Sequence, residues 1–246
     1  MNSGDDIETG PVWTFDIIVA DGFVLTEFAA VVDALRIANR VSATPCFRWT
    51  CRSRRGGTIT SPSSAYVETE AIPGRPEADY LFVVGNRDQD CPDLSLGVVI
   101  RRYVDRKATV FLLAEAASRY IKERGDAAGG LSTHWENTAV LRERAGLHDV
   151  DHAIASEDGQ VVTCAGMGST LDVVLAVIGR HVSSAVLMTV ANIFLHERIR
   201  DFGTRQPFGG KTGTGTGDPL LDEAIELMQD NIEEPLSVAQ ITAHLG

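Results

Sequence analysis

The sequence predicts an α/β fold built on a mostly parallel sheet with helices on both faces. Three observations carry this: short runs that are apolar on every residue, amphipathic helices between them, and glycine or aspartate turns where the runs end. A run with no polar face is buried on both sides of a sheet, and crossover helices supply the cover. Phe15 to Ala20 (FDIIVA) is the first such strand, closed by Asp21-Gly22. Phe28, Val31, Val32, Leu35 and Ala38 then recur at i, i+3, i+4, i+7 and i+10, one face of a helix. Phe47, Trp49 and Cys51 alternate with Arg48, Thr50 and Arg52, as in a half-solvated strand. Tyr80 to Gly85 is a second apolar strand; Leu96, Val99, Ile100, Tyr103 and Val104 mark a helix, and Thr109 to Leu113 a further strand. A hairpin from Ala153 to Cys164 turns at Asp158-Gly159. Two helices follow, one marked by Leu171, Val174, Leu175 and Ile178 and one running from Ser184 to Ile199.

With 246 residues, 44% of them hydrophobic, the chain can bury a sizeable core. Its 22 Lys+Arg against 34 Asp+Glu give a net charge of −12, which excludes a nucleic-acid surface over most of the chain, because phosphate binding needs clustered positive charge. The acidic start, 1–11, has none of the marks of a secretory signal. Val182 to Leu195, the longest uncharged stretch, is broken by Ser183, Ser184, Thr189 and Asn192 and falls short of the roughly 20 apolar residues of a membrane span. Cys46, Cys51, Cys91 and Cys164 form no C-x-x-C pair and read as reduced thiols. The expectation is a soluble cytoplasmic protein with no membrane partner.

Near the end, Phe208 to Gly217 has the composition of a flexible linker. Gly210-Lys211-Thr212 is not a phosphate loop, since Arg205 stands where that motif needs glycine and no strand precedes it. Asp218-Pro219 opens a helix closed at Glu234-Pro235, and Ser237-Val238-Ala239-Gln240 is a capping box that starts another. The expected layout is an acidic leader at 1–11, a sheet domain at 12–201, a linker at 202–217, and at 218–246 the first part of a helix-turn-helix, its recognition helix absent and its DNA-binding residues therefore unknown.

Five stretches in series, DGFVLTEFAAVVDALRIAN from Asp21, LSTHWEN from Leu131, VVTCAGMGSTLDVVLAVI from Val161, FLHERIRDFGTRQ from Phe194 and the chain beyond Asp218, resemble AraC-type transcriptional regulators of the GlxA subgroup. In these a class I glutamine-amidotransferase-like (PfpI-like) domain precedes the helix-turn-helix. The resemblance implies a flavodoxin-like sandwich, a homodimer, a small-molecule effector, and DNA as a partner of the full-length protein only. The stretch His196 to Gln206 is similar to regulators of quaternary-amine and arginine catabolism.

Ligands in such sheets sit beyond the carboxyl ends of the strands, here around Asp21-Gly22, Gly85-Asn86 and Ala114-Glu115. The family's enzymes carry a nucleophilic cysteine on the turn after the central strand, and its place is taken by Ala114. No catalytic residue is therefore expected; the alternative is an active hydrolase or hydratase using Cys164, which otherwise reads as a packed apolar thiol. By resemblance, Glu27 projects from the first helix toward the vacated position and has a carboxylate free for a ligand cation; His134 and Trp135 match the family's THW motif and face the same pocket. Read without the resemblance, Glu27 is a solvated first-turn glutamate, His134-Trp135 core packing and Gly85-Asn86 an ordinary turn. The candidate ligand set is Glu27, Gly85, Asn86, Ala114, Glu115, His134 and Trp135, suited to a quaternary amine, a betaine- or carnitine-like compound or an arginine-like zwitterion. No cofactor is expected, and no metal: His148 and His152 lack the helical spacing of a zinc pair.

Overall fold

The computed structural model describes residues 11–125, 129–147, 150–207, 219–231 and 236–245. The chain divides into two compact units, Met1–Thr204 and Arg205–Gly246. The first begins with β1 (Trp13–Ile18), α1 (Leu25–Val41), β2 (Phe47–Ser53), the β3–β4 hairpin (Gly57–Thr60 and Tyr66–Ala71), β5 (Tyr80–Val83), α2 (Gly97–Asp105), β6 (Thr109–Leu113) and α3 (Glu115–Arg124). It continues with β7 (Leu131–Ser132), α4 (Trp135–Ala145), β8 (Val150–Asp151), β9 (Ala155–Asp158), β10 (Val161–Cys164), α5 (Thr170–Ile178) and α6 (Ser184–Ile193).

Eight strands form one sheet in the order β3-β4-β2-β1-β5-β6-β10-β9, parallel except at its two edges, where β3 and β9 run antiparallel to their neighbours. Registration places Ile18 opposite Val83, Val83 opposite Leu112 and Leu113 opposite Cys164, so the four central strands end level with one another. Successive side chains alternate between two buried faces, as a doubly covered sheet requires. Ile17, Phe82, Phe111 and Leu113 pack under α1, α5 and α6, while Ile18, Leu81, Val83 and Leu112 pack against α2 and α3 through Ile100, Tyr103 and Ala117. Asp16, a charge inside the first apolar run, is held by Arg52 Nε at 2.9 Å and by the Tyr103 hydroxyl at 2.6 Å.

One predicted helix is shorter than its periodicity suggests. α6 stops at Ile193 rather than Ile199 because Leu195 turns to φ +54°, and His196 and Arg200 are then drawn onto the buried carboxylate of Asp172. In the second unit α7 (Pro219–Asp230) packs on α8 (Val238–Leu245). The capping box is reciprocal: Ser237 N donates to Gln240 Oε1 at 2.9 Å and Gln240 N to Ser237 Oγ at 3.4 Å. The expected helix boundaries at Asp218 and at Glu234-Pro235, the whole glycine-rich stretch 208–217 and His148 lie outside the described residues. Among the described residues no helix is long and apolar enough to cross a membrane.

Candidate functional site

β6 delivers the chain to Ala114, the residue between strand and α3, at φ +41° and ψ −107°. An L-residue at positive φ is strained, at a cost on the order of 1–3 kcal/mol, and persists only where its surroundings impose it. Here they do. Ala114 N donates to Cys164 O at 2.9 Å, and its carbonyl accepts from Ser118 N at 2.9 Å and from Thr133 Oγ1 at 2.7 Å. This sharp strand-to-helix turn presents a side chain above the sheet, as in a nucleophile elbow, and the side chain is a methyl group.

Glu27, from the first turn of α1, is wholly buried beside it. Gly85 N donates to Glu27 Oε2 at 2.8 Å and Met167 N to Oε1 at 2.9 Å, so the carboxylate is not free for a cation as expected: both oxygens are held by backbone amides. Burial pushes the Glu27 carboxyl up to about 7; the two amides oppose the rise and the Glu115 carboxylate adds to it. Gly85 and Gly166 make room for this packing. A Cβ on Gly85 would lie 2.6 Å from Glu115 Oε2 and 2.9 Å from Glu27 Oε2, and one on Gly166 would collide with Glu27 Oε1. The two carboxylates therefore approach one point above the end of β5.

Glu115 Oε2 accepts from Asn86 N at 3.1 Å and Oε1 from Asn137 Nδ2 at 3.2 Å. Consequently the amides of Gly85 and Asn86, expected to meet a ligand carboxylate, are both occupied by the chain's own carboxylates. The Asn86 side chain also turns away from a ligand: Nδ2 donates to Asp21 O at 2.7 Å, and Oδ1 accepts from Asp88 N at 2.9 Å. His134 and Trp135 lie between two anchors, Thr133 on Ala114 and Asn137 on Glu115, which hold this segment over the elbow. Their rings sit 5.4 Å apart, and His134 Nδ1 is 3.6 Å from Glu136 Oε2.

The structure thus gathers Glu27, Gly85, Asn86, Ala114 and Glu115 into one hydrogen-bonded cluster, with His134 and Trp135 on the segment tied to it. Met167, Gly166 and Asn137 complete it without having been singled out, although all three fall inside the motif stretches that carry the resemblance. Cys164 does not fit the alternative of a working nucleophile. It is wholly buried in the core, and burial, with the charges of Glu27 and Glu157, pushes its thiol well above the ordinary range. Among the described residues no group of three His, Cys, Asp or Glu is placed to hold a metal ion.

No family model matches the chain. The HTH-type transcriptional regulator GbdR of Pseudomonas aeruginosa is 27% identical over 242 residues, which are 93% of this chain and 63% of GbdR. The HTH-type transcriptional regulator GlxA of Rhizobium meliloti is 25% identical over 89% of this chain and 68% of its own length. The chain thus spans under two thirds of the length of GbdR. Among solved structures, an AraC family transcriptional regulator from Pseudomonas putida superposes with a TM-score of 0.62 at 21% identity, covering 74% of this chain and 99% of that one. Drosophila melanogaster DJ-1beta gives 0.59 at 16% identity, over 75% of this chain and 98% of its own. The chain is therefore related over most of its length to HTH-type transcriptional regulators, and its parallel sheet has the fold shared by the DJ-1 and PfpI-like proteins.

Proposed function

We propose that this chain is the sensing part of an AraC-type transcriptional regulator, in which a non-catalytic amidotransferase-like domain binds a small cationic effector at the crest of the sheet, above the Ala114 turn, and a helical module that follows in sequence serves DNA binding. The carrying observation is the elbow itself: the strained turn is kept at Ala114 while the nucleophile is not. A fold that keeps the geometry of a reactive site without its reactive atom retains a use for the crevice, and recognition is the use that needs no thiol. The names of the similar proteins support the regulatory half of the reading.

The class of effector follows from charge. Of the two carboxylates above β5, Glu27 is held at both oxygens by backbone amides, whereas Glu115 is less buried and is bound to Asn137 on the segment that carries Trp135. A quaternary ammonium or guanidinium group gains from the carboxylate field and from an aromatic face, the latter contributing roughly 0.5–2 kcal/mol depending on desolvation. With the amides of Gly85 and Asn86 occupied, the cationic end of a betaine-, carnitine- or arginine-like compound is the part recognised there. An effector that binds one arrangement of the chain more tightly than another shifts the balance between them. A homodimer in the cytoplasm, with DNA bound by the full-length protein, completes the proposal. Calorimetric titration with choline, betaine, carnitine and arginine tests it: heat of binding with at least one is expected, and silence with all four overturns the effector reading.

A further inference from the structure

A second hollow lies at the opposite end of the sheet, where β1 and β2 begin. It is an open cavity of about 390 Å³, the size of small-molecule sites, and its eleven lining residues include Trp13, Ser42, Thr44, Cys46, His181 and Val186. None of the eleven is Asp, Glu, Lys or Arg. In a chain that is 23% charged, a surface of that extent would otherwise carry about two or three charges.

Trp13 and His181 stack with ring centroids 3.9 Å apart and planes 29° from parallel, and the Tyr80 hydroxyl at 2.7 Å from His181 Nε2 fixes the imidazole. Burial, reinforced by Arg180, holds the His181 pKa below its ordinary value, although Asp79 opposes this, so the ring is neutral at pH 7. Ser42 Oγ is buried beside the Cys46 thiol, which is its polar neighbour in the wall of the hollow. α6 starts at this hollow, but its N-cap is already satisfied, with Val186 N donating to Ser183 Oγ at 3.3 Å. A rigid aromatic wall, hydroxyls and no formal charge favour a flat, uncharged ring over either ion, because an ion would shed water there and find no counter-charge.

We infer that this cavity is a second small-molecule site, distinct from the crest, that takes a neutral aromatic compound against Trp13 and His181. The test uses three probes with one ring and three charges: indole, indole-3-acetate and tryptamine. The readout is the rate of Cys46 alkylation by N-ethylmaleimide on the full chain, with Cys51 as internal reference. For a dissociation constant of about 1 mM, about 5 mM indole slows Cys46 roughly sixfold by mass action. Cys51 is expected to be unaffected, and the two charged probes to slow Cys46 less than about twofold. Trp13→Ala removes the indole protection. Where that variant loses its circular dichroism, Thr44→Lys, at an exposed position of the rim, serves instead and is expected to weaken protection by indole and strengthen it by indole-3-acetate. No protection of Cys46 by indole, equal protection by all three probes, or protection unchanged in the folded variant overturns the assignment.

Discussion

Gly85 has no room for a methyl group, since its Cβ would fall within 3 Å of both carboxylates and 3.2 Å from the Ala114 methyl. Gly85→Ala is expected to cost about 1–3 kcal/mol, the usual range for overpacking, read as a lower urea midpoint. Ala114 poses the reverse case: Ala114→Gly releases the positive-φ strain and is expected to raise stability by about 1 kcal/mol in the same assay. Glu27 gives a pH signature. Its folded pKa, about 7, lies above the ordinary 4.5, so the folded chain holds that proton more tightly than the unfolded chain does. Its contribution is fully present below about pH 4.5 and is lost as the pH rises through about 7, a change of roughly 3 kcal/mol at about 1.4 kcal/mol per unit. Glu27→Gln is expected to flatten this fall between pH 5 and pH 8; an unchanged slope would place the titration elsewhere. The strand end that precedes Ala114 was legible because the apolar run Thr109 to Leu113 marks it, whereas the assignment of Ala114 itself rests on the resemblance. The capture of the Glu27 carboxylate was not, because one of its partners, Met167, lies 140 residues away in sequence and donates a main-chain amide that every residue except proline possesses.

At the scale of elements, β1, α1, β5, β6 and the β9–β10 hairpin follow from local pattern: runs of consecutive apolar residues for the central strands, a 3.6-residue stripe for α1 and the Asp158-Gly159 turn for the hairpin. The β3–β4 hairpin carries no such signal, because its strands are largely exposed at the sheet edge and Tyr66–Ala71 has two glutamates and no apolar run. The early end of α6 depends on tertiary contact. Asp172 in α5 is wholly buried and accepts from Arg200 N at 2.7 Å, Arg200 Nη2 at 2.6 Å and Nε at 3.0 Å, and it lies 2.8 Å from His196 Nε2. Burial would raise the Asp172 pKa, but the Arg200 and His196 hydrogen bonds outweigh it and hold it below the usual carboxylate range. The clasp therefore stabilises above that range and is lost as the pH falls through the depressed value. Asp172→Ala is expected to cost about 2 kcal/mol at neutral pH, less than for a fully enclosed pair because Arg200 reaches solvent. Urea denaturation checks the figure, and a loss below about 0.5 kcal/mol would show that the clasp is ornamental to stability.

For the whole molecule, charge bears differently on the proposed binding of an effector and of DNA. A net charge of −12 favours a cationic effector, and no Lys or Arg follows Lys211, so the helices of the second unit bring no phosphate-neutralising side chains. The 246 residues are expected to show no gel shift with duplex DNA even at low salt; a discrete complex would contradict that. Fold and regulator class were both visible in the order of motifs. Occupation of the strand-end amides by Glu27 and Glu115 was not, since it emerges only when three chain segments meet above β5. The central claim, recognition at an elbow without a nucleophile, is read most directly from the three indole N–H resonances of Trp13, Trp49 and Trp135 during titration with choline, betaine, carnitine and arginine. The Trp135 signal is expected to move with at least one compound while those of Trp13 and Trp49 stay in place. A Trp135 signal that remains still while a compound binds would contradict it.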